Sequence, residues 1–488
     1  MKICIVHHHL KPGGVTRVIQ NTLPGLLGRG AEVGLLSGEV SPDSWPVPVK
    51  AVPDLAYRTD PLPESSSPLG AQLLEAGKAV FGGSLPDIWH IHNPTLGKNP
   101  EMPRAVEFLV EQGHRVLMHL HDFAEDGRPE NYRVLAKNKG TCPLYPIGES
   151  ISYAVINQRD ALVLERAGIP AERVCNIGNP VQLPESSGSD SGKRANGSIL
   201  SRDRKLFLYP TRGIRRKNIG EFLLLAATGS SDDLYATTMG PANPRWLAIH
   251  GSWERLASDL RLPVELGWAE NIPFDFPSIF SRANCLLTTS VQEGFGLAFL
   301  EPVFAGKPLA GRNLDQVTRD FGDHGWNPGS LYERLDVELG WIDVPELRRR
   351  MDSGFRKLYA AYGQEWNTAR LNAHWEAATN GTDTIDFGFL GEVAQSEVIR
   401  KVAGDPGLRK RLRPAGMDTG SQPIPDAESL RTYYSPEAYV GRLWERYVRL
   451  MEGRVSGAMD IGGADEHAVL MSFLDPGNLR LLKTALSG

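Results

Sequence analysis

The segment from residue 288 to residue 308 reads TTSVQEGFGLAFLEPVFAGKP, and it decides the fold. The mostly apolar run from Cys285 to Thr289 predicts a buried strand that leads into this segment. Glu293 lies in the polar turn that follows, and Gly294 and Gly296 let the backbone approach a ligand closely before an apolar helix begins. The pattern therefore predicts a strand, a glycine loop and a helix.

Such a loop has a defined place in a parallel α/β sheet. It opens at the carboxyl ends of the strands, where ligands bind, and the first turn of the next helix presents free N–H groups to anions. Glu293 in the loop and Glu301, about two turns into the helix, can both face one crevice. Two glutamates at one spacing also arise by chance among 58 acidic residues, but here a Gly-Phe-Gly element separates them.

Length and composition limit the possible classes of protein. A chain of 488 residues is too long for one hydrophobic core, so we expect two or three domains. A net charge of −5 argues against non-specific nucleic-acid binding. The cysteines are widely spaced, without a Cys-x-x-Cys pair, which favours buried reduced thiols. The apolar run at the amino terminus is too short for a signal peptide or a membrane span, so we expect a cytoplasmic protein.

The beginning of the chain predicts a second ligand-binding unit. Lys2 to His7 predicts a buried strand, and a helical pattern runs from Thr16 to Leu27. Gly13 and Gly14 lie between them, as in a nucleotide-type βα unit, although the Gly-x-Gly-x-x-Gly pattern of dehydrogenases is missing. Two glycines before a helix can also serve a tight turn alone.

Further βα units are predicted around strands at Ala31–Leu36, Ile88–His92 and Arg115–His121. Histidines lie two residues apart on the last two of these strands, at positions 90, 92, 119 and 121, and therefore project from one face. With the histidines at 7 to 9 they suggest a metal site. No metal-binding pattern such as His-Glu-x-x-His flanks them, so we expect no metal ion and favour contacts with hydroxyl groups.

A basic loop follows another predicted strand, Lys205–Tyr209, further along the chain. Arg212 and Lys217 in this loop have the spacing Arg-x4-Lys. Fixed cations of this kind can lower a reaction barrier where negative charge accumulates on a leaving group. Simple solvated charge is the alternative interpretation.

The glutamate loop and the basic loop together resemble the retaining glycosyltransferases of family 4, whose signature is Glu-x7-Glu. The resemblance implies an α/β protein with the GT-B fold, in which two Rossmann-like domains face each other across a central cleft. The implied divisions, in order, are an amino-terminal acceptor-side domain (1–183), a polar linker (184–204), a nucleotide-sugar-binding domain with an insertion (205–433), a crossing helix (434–453) and a tail (454–488). Ser435 is expected to cap the crossing helix at Pro436.

The resemblance also implies roles for particular residues. Glu293 would bind sugar hydroxyls and support positive charge at the anomeric carbon, while Arg212 and Lys217 would neutralise the donor diphosphate in place of a divalent metal. His121 would hold the transferred sugar, although a histidine satisfied at a strand end is the plainer alternative.

The remaining implied residues bind substrate. Glu301 would accept hydrogen bonds from the ribose, and Gly13 and Gly14 would lie against the diphosphate. The glutamate loop would contribute Gly294, Phe295 and Gly296.

The predicted function is therefore transfer of a hexose from a nucleotide-diphosphate sugar to an acceptor hydroxyl with retention at the anomeric carbon. The sequence does not identify the acceptor, for which a sugar, a glycan and a small polyol are the candidates, and it leaves UDP-, GDP- and ADP-sugars open as donors. No cofactor is expected, because the nucleotide sugar is a co-substrate, and neither nucleic acid nor a membrane span is expected. The alternatives are a GT-B phosphorylase, a nucleotide-sugar epimerase, or a non-catalytic subunit that binds sugar nucleotides.

Overall fold

The structure, a computed structural model, describes residues 1–39, 44–63, 65–182, 204–271, 276–327, 329, 331–417, 427–453 and 461–484. The chain divides into two compact units. Unit 1 comprises Met1–Val181, Ala361–Gln364 and Thr432–Asp475, and unit 2 comprises Gln182–Ala360, Glu365–Arg431 and Pro476–Gly488. The predicted linker lies outside the described residues except for residue 204.

The strands of the described residues are, in chain order, β1 (Lys2–His9), β2 (Glu32–Glu39), β3 (Val49–Ala51), β4 (Ile88–His92), β5 (Arg115–Leu120), β6 (Pro146–Ile147), β7 (Ile151–Val155), β8 (Val174–Asn176), β9 (Leu206–Arg212), β10 (Leu234–Met239), β11 (Val264–Glu265), β12 (Cys285–Thr288), β13 (Leu309–Arg312), β14 (Leu331–Tyr332), β15 (Asp336–Glu338), β16 (Thr384–Asp386) and β17 (Gly462–Gly463).

The helices of the same residues are α1 (Gly14–Gly28), α2 (Leu69–Val80), α3 (Met102–Glu111), α4 (Pro129–Asn138), α5 (Gln158–Arg166), α6 (Ile219–Thr228), α7 (Leu247–Asp259), α8 (Phe276–Arg282), α9 (Leu297–Phe304), α10 (Asp315–Gly322), α11 (Val344–Ala361), α12 (Thr368–Thr379), α13 (Glu392–Ala403), α14 (Pro406–Leu412), α15 (Glu428–Tyr433), α16 (Pro436–Glu452) and α17 (Glu466–Phe473).

Each unit is built on one parallel sheet with the strand order of a Rossmann fold. Within the described residues, the order in unit 1 is β3-β2-β1-β4-β5-β7-β8, and the order in unit 2 is β11-β10-β9-β12-β13-β14. The order reverses direction between β1 and β4 in the first sheet and between β9 and β12 in the second. Ligands bind at such switch points, outside the carboxyl ends of the strands. The predicted α/β class with two Rossmann-like sheets is confirmed.

Helices cover both faces of the sheet in unit 1, which is why its strands are apolar on both sides. On one face, Ile3 and Ile5 of β1 pack with Leu23 of α1 and with Tyr439 and Leu443 of α16. A second cluster on the other face joins the alternate strand residues to α2, α3 and α5. These two layers make the strands a rigid base for the loops at their carboxyl ends.

The crossing helix begins where the sequence predicts. Ser435 Oγ accepts a hydrogen bond from the Ala438 backbone N–H at 3.1 Å, and Pro436 occupies the first helical position. The segment expected as a tail enters both units: β17 pairs antiparallel with β6 in unit 1, and the Thr484 carbonyl in unit 2 accepts a hydrogen bond from Arg215 at 2.6 Å.

Two further expectations concern the whole chain. All four cysteines, each at least partly buried, are free thiols, as predicted. Among the described helices, none combines the length and the apolar character that crossing a lipid bilayer requires.

Candidate functional site

The two predicted loops of unit 2 open at the same edge of its sheet. β9 and β12 are adjacent and parallel, with Cys285 opposite Phe207 and Leu286 opposite Leu208. The loops that follow these strands therefore meet at the switch point, as the sequence predicts. The strand before the basic loop is longer than expected, so that Arg212 is the last residue of β9 rather than a loop residue.

The basic loop makes one turn of 3-10 helix, Arg215–Lys217, before α6 begins. Asn218 follows in the left-handed region, with φ of 52°. Its side-chain N–H donates to Glu221 at 2.8 Å, and its side-chain oxygen accepts from Gln395 at 2.8 Å. These buried contacts hold a conformation that asparagine tolerates better than most residues.

Hydrogen bonds join the basic loop to the glutamate loop. The Arg216 carbonyl accepts from the Val291 backbone N–H at 2.9 Å and from Ser290 Oγ at 3.3 Å. Thr289 Oγ1 contacts the carbonyls of Lys217 and Asn218 at 3.0 and 3.1 Å. The two loops therefore form one surface with a fixed register.

An ion pair lies at the centre of this surface. Lys217 Nζ contacts Glu293 Oε1, and the side chains of Lys217 and Glu293 are only 14% and 10% exposed. Arg216 adds a second cation, with Nη1 at 3.7 Å from Glu293 Oε2 and at 3.0 Å from the Gln292 carbonyl. Burial alone would raise the pKa of Glu293, but the charges of Lys217 and Arg216 outweigh it and lower this pKa below its ordinary value. Glu293 is therefore ionised at neutral pH.

The three consecutive basic residues have different partners. Arg215 turns to Glu392, with Nη2 at 2.9 Å from Oε2, while Arg216 and Lys217 turn to Glu293. Arg212 is exposed, and the described residues offer its side chain no hydrogen-bond or ion-pair partner. Sequence reasoning missed Arg216, because the turn that directs neighbouring side chains apart has no distinctive residue pattern.

The glycine loop has a packing role in addition to any role in binding. Gly296 has φ of +94°, and a Cβ atom there would lie 2.5 Å from Val317 Cγ1, so a larger residue would be strained. Phe295 is buried and packs edge-on against Phe321, with ring centroids 6.0 Å apart. Glu301 is the fifth residue of α9, little more than one turn into the helix rather than the expected two.

Histidines form a ladder at the switch point of unit 1. Six histidines occupy the sheet face that carries α1 and α16: His7 and His9 on β1, His90 and His92 on β4, His119 on β5, and His121 directly after β5. Neighbouring rings are close, as for the 4.0 Å between the centroids of His119 and His121. The predicted projection of the β4 and β5 histidines from one face is confirmed by these contacts.

His121 lies at the outer end of this ladder. Its Nε2 is 2.9 Å from His92 Nδ1, and its backbone N–H donates to Asn93 Oδ1 at 2.7 Å. Burial lowers the pKa of His121 to about 3 and that of His90 to about 3. Both rings are therefore neutral under ordinary conditions and offer one donor and one acceptor nitrogen each.

The glycine turn of unit 1 has no conformational need for glycine. Gly13 has an extended backbone with φ of −179°, and Gly14 is the first residue of α1. A Cβ atom at position 13 would find its nearest neighbour at 3.8 Å, and one at position 14 would find nothing within 4 Å. The interpretation as a tight turn alone therefore has no support from the backbone, and the space remains open for a ligand.

A buried carboxyl group follows β5. Glu125 accepts hydrogen bonds from Tyr145 Oη at 3.1 Å to each oxygen, and burial raises its pKa to about 7, with Glu466 and Asp126 adding to the rise. Because the pKa of Glu125 is higher in the folded protein than the ordinary value of 4.5, the folded state is favoured at low pH. The free energy of unfolding then decreases as the pH rises from 4.5 to about 7.

We expect the free energy of unfolding of Glu125→Gln to lack this decrease with pH. The decrease amounts to roughly 3 kcal/mol, at about 1.4 kcal/mol per pH unit. Denaturant unfolding at pH 5 and pH 8 measures it. The exposed Glu111→Gln is the control and should leave the difference between the two pH values unchanged. If Glu125→Gln and the wild type showed the same difference in free energy of unfolding between pH 5 and pH 8, Glu125 would not be the group responsible.

Comparison with known proteins gives a limited set of similarities. No protein-family model matches the chain. The chain is 30% identical over 318 residues to mannosylglucosyl-3-phosphoglycerate synthase of Petrotoga mobilis. The matched region covers 62% of this chain and 60% of that protein. The chain thus spans about 60% of the length of this curated relative.

Solved structures with a similar course of the chain are more distant. Sucrose-phosphate synthase of Thermosynechococcus elongatus has a TM-score of 0.49 at 15% identity, covering 92% of this chain and 99% of that one. HepE of Anabaena, solved with UDP and glucose, has a TM-score of 0.44 at 17% identity, covering 64% of this chain and 80% of that one. The strand orders of the two sheets, rather than these similarities, establish the fold.

Proposed function

We propose that this chain is a retaining glycosyltransferase that moves a hexose from a nucleotide-diphosphate sugar to an acceptor hydroxyl. The observation that carries the proposal is the Lys217–Glu293 ion pair at the switch point of unit 2, with Arg216 beside it. It combines fixed cations, which suit a diphosphate, with an ionised carboxylate, which suits sugar hydroxyls. The name of the Petrotoga relative, a synthase of a glycosylated compound, agrees with sugar transfer.

The cations act on the leaving group. In the proposed reaction the bond between the anomeric carbon and the phosphate oxygen breaks, and its electron pair leaves with the nucleoside diphosphate. Lys217 and Arg212 stabilise this negative charge, and Arg216 adds to them. The exposed guanidinium of Arg212 is available to a ligand, since no protein group of the described residues engages it. Side-chain cations thus take the place of a divalent metal, and no cofactor is needed at the diphosphate.

The carboxylates act on the sugar and the nucleoside. Glu293, kept ionised by its cationic neighbours, accepts hydrogen bonds from hexose hydroxyls and offsets positive charge at the anomeric carbon. Glu301 accepts from the ribose. The loop residues Gly294, Phe295 and Gly296 contribute the start of α9, where no side chain caps the helix.

The acceptor oxygen forms its bond on the face from which the diphosphate departs, so the configuration is retained. The acceptor proton passes to the departing phosphate oxygen, which makes a separate general base unnecessary. His121, neutral because it is buried, orients the transferred sugar through a hydrogen bond.

Gly13 and Gly14 are proposed to bind the donor by close approach of the backbone. We expect Gly13→Ala to weaken donor binding about tenfold, or by about 1.4 kcal/mol, while the melting temperature stays unchanged. The extended φ and the open space at position 13 accommodate a methyl group without strain. Gly28→Ala is the matched control. Gly28 is the last residue of α1, at the end opposite to Gly13, and a Cβ atom there would meet nothing within 4 Å. A lower melting temperature with unchanged donor KM would support the tight-turn interpretation instead.

A donor and acceptor screen tests the proposed function. UDP-, GDP- and ADP-sugars, mannose and glucose donors included, are first compared for thermal stabilisation of the purified chain. Acceptors are sugars, polyols and phosphoglycerate derivatives, because the name of the Petrotoga relative contains the last of these. Nucleotide release that requires both donor and acceptor, with a retained anomer in the product, is the expected result.

Other results of this screen would replace the proposal. Conversion of the donor without an acceptor would indicate an epimerase, and dependence on inorganic phosphate would indicate a phosphorylase. Stabilisation by a donor without turnover of any acceptor would indicate a binding subunit.

A further inference from the structure

Three buried histidines of the ladder converge within unit 1. His90 and His92 of β4 and His119 of β5 each offer one ring nitrogen such that these atoms all lie within 4.8 Å of one another. His92 and His119 are register partners on neighbouring strands. The backbone of the sheet therefore fixes the positions from which the three rings reach inward.

Hydrogen bonds among the rings leave two nitrogens without a partner. His90 Nδ1 is 2.7 Å from Tyr447 Oη, and His90 Nε2 is 3.0 Å from His119 Nδ1. His92 Nδ1 is 2.9 Å from His121 Nε2. The remaining nitrogens, His92 Nε2 and His119 Nε2, are buried and find no partner within the described residues.

Such orphans carry a substantial energetic penalty. A buried polar group without a hydrogen bond costs about 1–3 kcal/mol, and native structures contain few of them. Here two occur on neighbouring rings of one cluster, and a third ring lies beside them. A single shared partner that binds several imidazole nitrogens would satisfy both.

We propose that His90, His92 and His119 bind one transition-metal ion of the zinc class. Imidazole nitrogens are preferred ligands for zinc, copper, nickel and iron, and three histidines with one open position are a common zinc arrangement. Tetrahedral coordination with bonds of about 2.0–2.1 Å places ligand nitrogens roughly 3.3 Å apart. One ring nitrogen from each of the three histidines already lies within 4.8 Å of the other two. Small rotations of the rings complete the set.

A residue beside the cluster supports this site. Tyr447 Oη can accept the Nδ1 proton of His90, which leaves Nε2 with the lone pair that a metal needs. The proposed site differs from the expectation from the sequence that these histidines hold no ion. It lies in unit 1, whereas the proposed diphosphate site lies in unit 2.

Metal binding to the full chain tests the proposal directly. The protein is dialysed against EDTA, freed of chelator, and titrated with Zn²⁺ and with Co²⁺. We expect one equivalent of either ion per chain, a rise in melting temperature at stoichiometric Zn²⁺, and the visible absorption of four-coordinate Co²⁺. Less than a tenth of an equivalent retained after gel filtration, with no thermal shift, would overturn the proposal.

Variants assign the site to these residues. The double variant His92→Gln with His119→Gln should lose metal affinity at least about 100-fold. Tyr447→Phe should lose about tenfold or more, because it removes the hydrogen bond to His90 Nδ1 that orients this ring. His374→Gln, a buried histidine of unit 2, is the matched control and should bind as the wild type does. If the double variant does not fold, the metal affinity of Tyr447→Phe alone tests the assignment.

The neighbouring histidines provide the competing explanation. His9 is partly exposed at the end of β1 and would bind ions weakly as a surface group. Binding that survives Tyr447→Phe unchanged but disappears in His9→Gln would place the ion on β1 and overturn the assignment.

Discussion

Lys217→Ala is expected to lower the turnover number by about two to three orders of magnitude, the usual effect of removing one preorganised group that stabilises transition-state charge. Lys217 is held by its contact with Glu293 and by a loop whose carbonyls bind Tyr209 and Thr289. Its charge is therefore in place before the diphosphate begins to leave. Without it, the ionised Glu293 keeps only the more distant charge of Arg216 beside an anionic leaving group.

The kinetic pattern distinguishes this role from simple binding. A loss in kcat larger than the rise in donor KM is expected, because the interaction strengthens as the bond to phosphate breaks. Initial rates over a range of donor concentrations measure both quantities, and circular dichroism confirms that the variant is folded.

Lys205→Ala is the matched control, since it removes the same charge from the opposite end of the same βα unit. Lys205 is exposed and precedes the amino end of β9, whereas Lys217 follows its carboxyl end. Near-normal turnover in Lys217→Ala, or an equal loss in Lys205→Ala, would remove the assignment of a phosphate clamp to this loop.

Arg312→Met is expected to destabilise unit 2 by about 3–5 kcal/mol, the effect of breaking a buried ion pair on one side. Arg312 donates to Glu221 at 2.9 and 2.7 Å and to Asp386 at 3.0 and 2.7 Å, and all three side chains are at most 3% exposed. Methionine fills much of the same volume but leaves the buried carboxylates of Glu221 and Asp386 without the cation that is hydrogen-bonded to both of them. Glu221 also holds Asn218, so the loop that carries Lys217 should loosen.

The midpoint of urea unfolding and its slope measure this loss. Arg319→Met is the control: Arg319 pairs with Asp315 on the exposed face of α10, and such a pair contributes about 0.3–0.5 kcal/mol. Equal losses of stability in the two variants would show that the buried ion pairs of Arg312 with Glu221 and Asp386 contribute no more than an exposed pair. Adding Glu221→Gln and Asp386→Asn to Arg312→Met should recover part of the stability, since no uncompensated charge then remains.

Local patterns were sufficient for the elements around the candidate site. The apolar run at 285–289 and the glycines after it predicted β12, the loop and α9 to within one residue at each of the strand ends, because burial and backbone freedom depend on neighbouring residues. The cap at Ser435 was correct for the same reason. The strand β9 extended to Arg212, because pairing with β10 continues past a bulge that no local pattern indicates.

The sequence by itself determined the α/β class, the two switch-point loops, and the pairing of a basic loop with a glutamate loop at one sheet edge. The tertiary structure alone decided that Arg216 accompanies Lys217, that Arg312 is enclosed by two acids, and that three histidines converge. Lys217 and Glu293 are 76 residues apart, Arg312 and Glu221 are 91 apart, and His90 and His119 are 29 apart. Periodicity and caps arise from contacts within a few residues, whereas these pairs form only when packing of the sheet brings distant segments together.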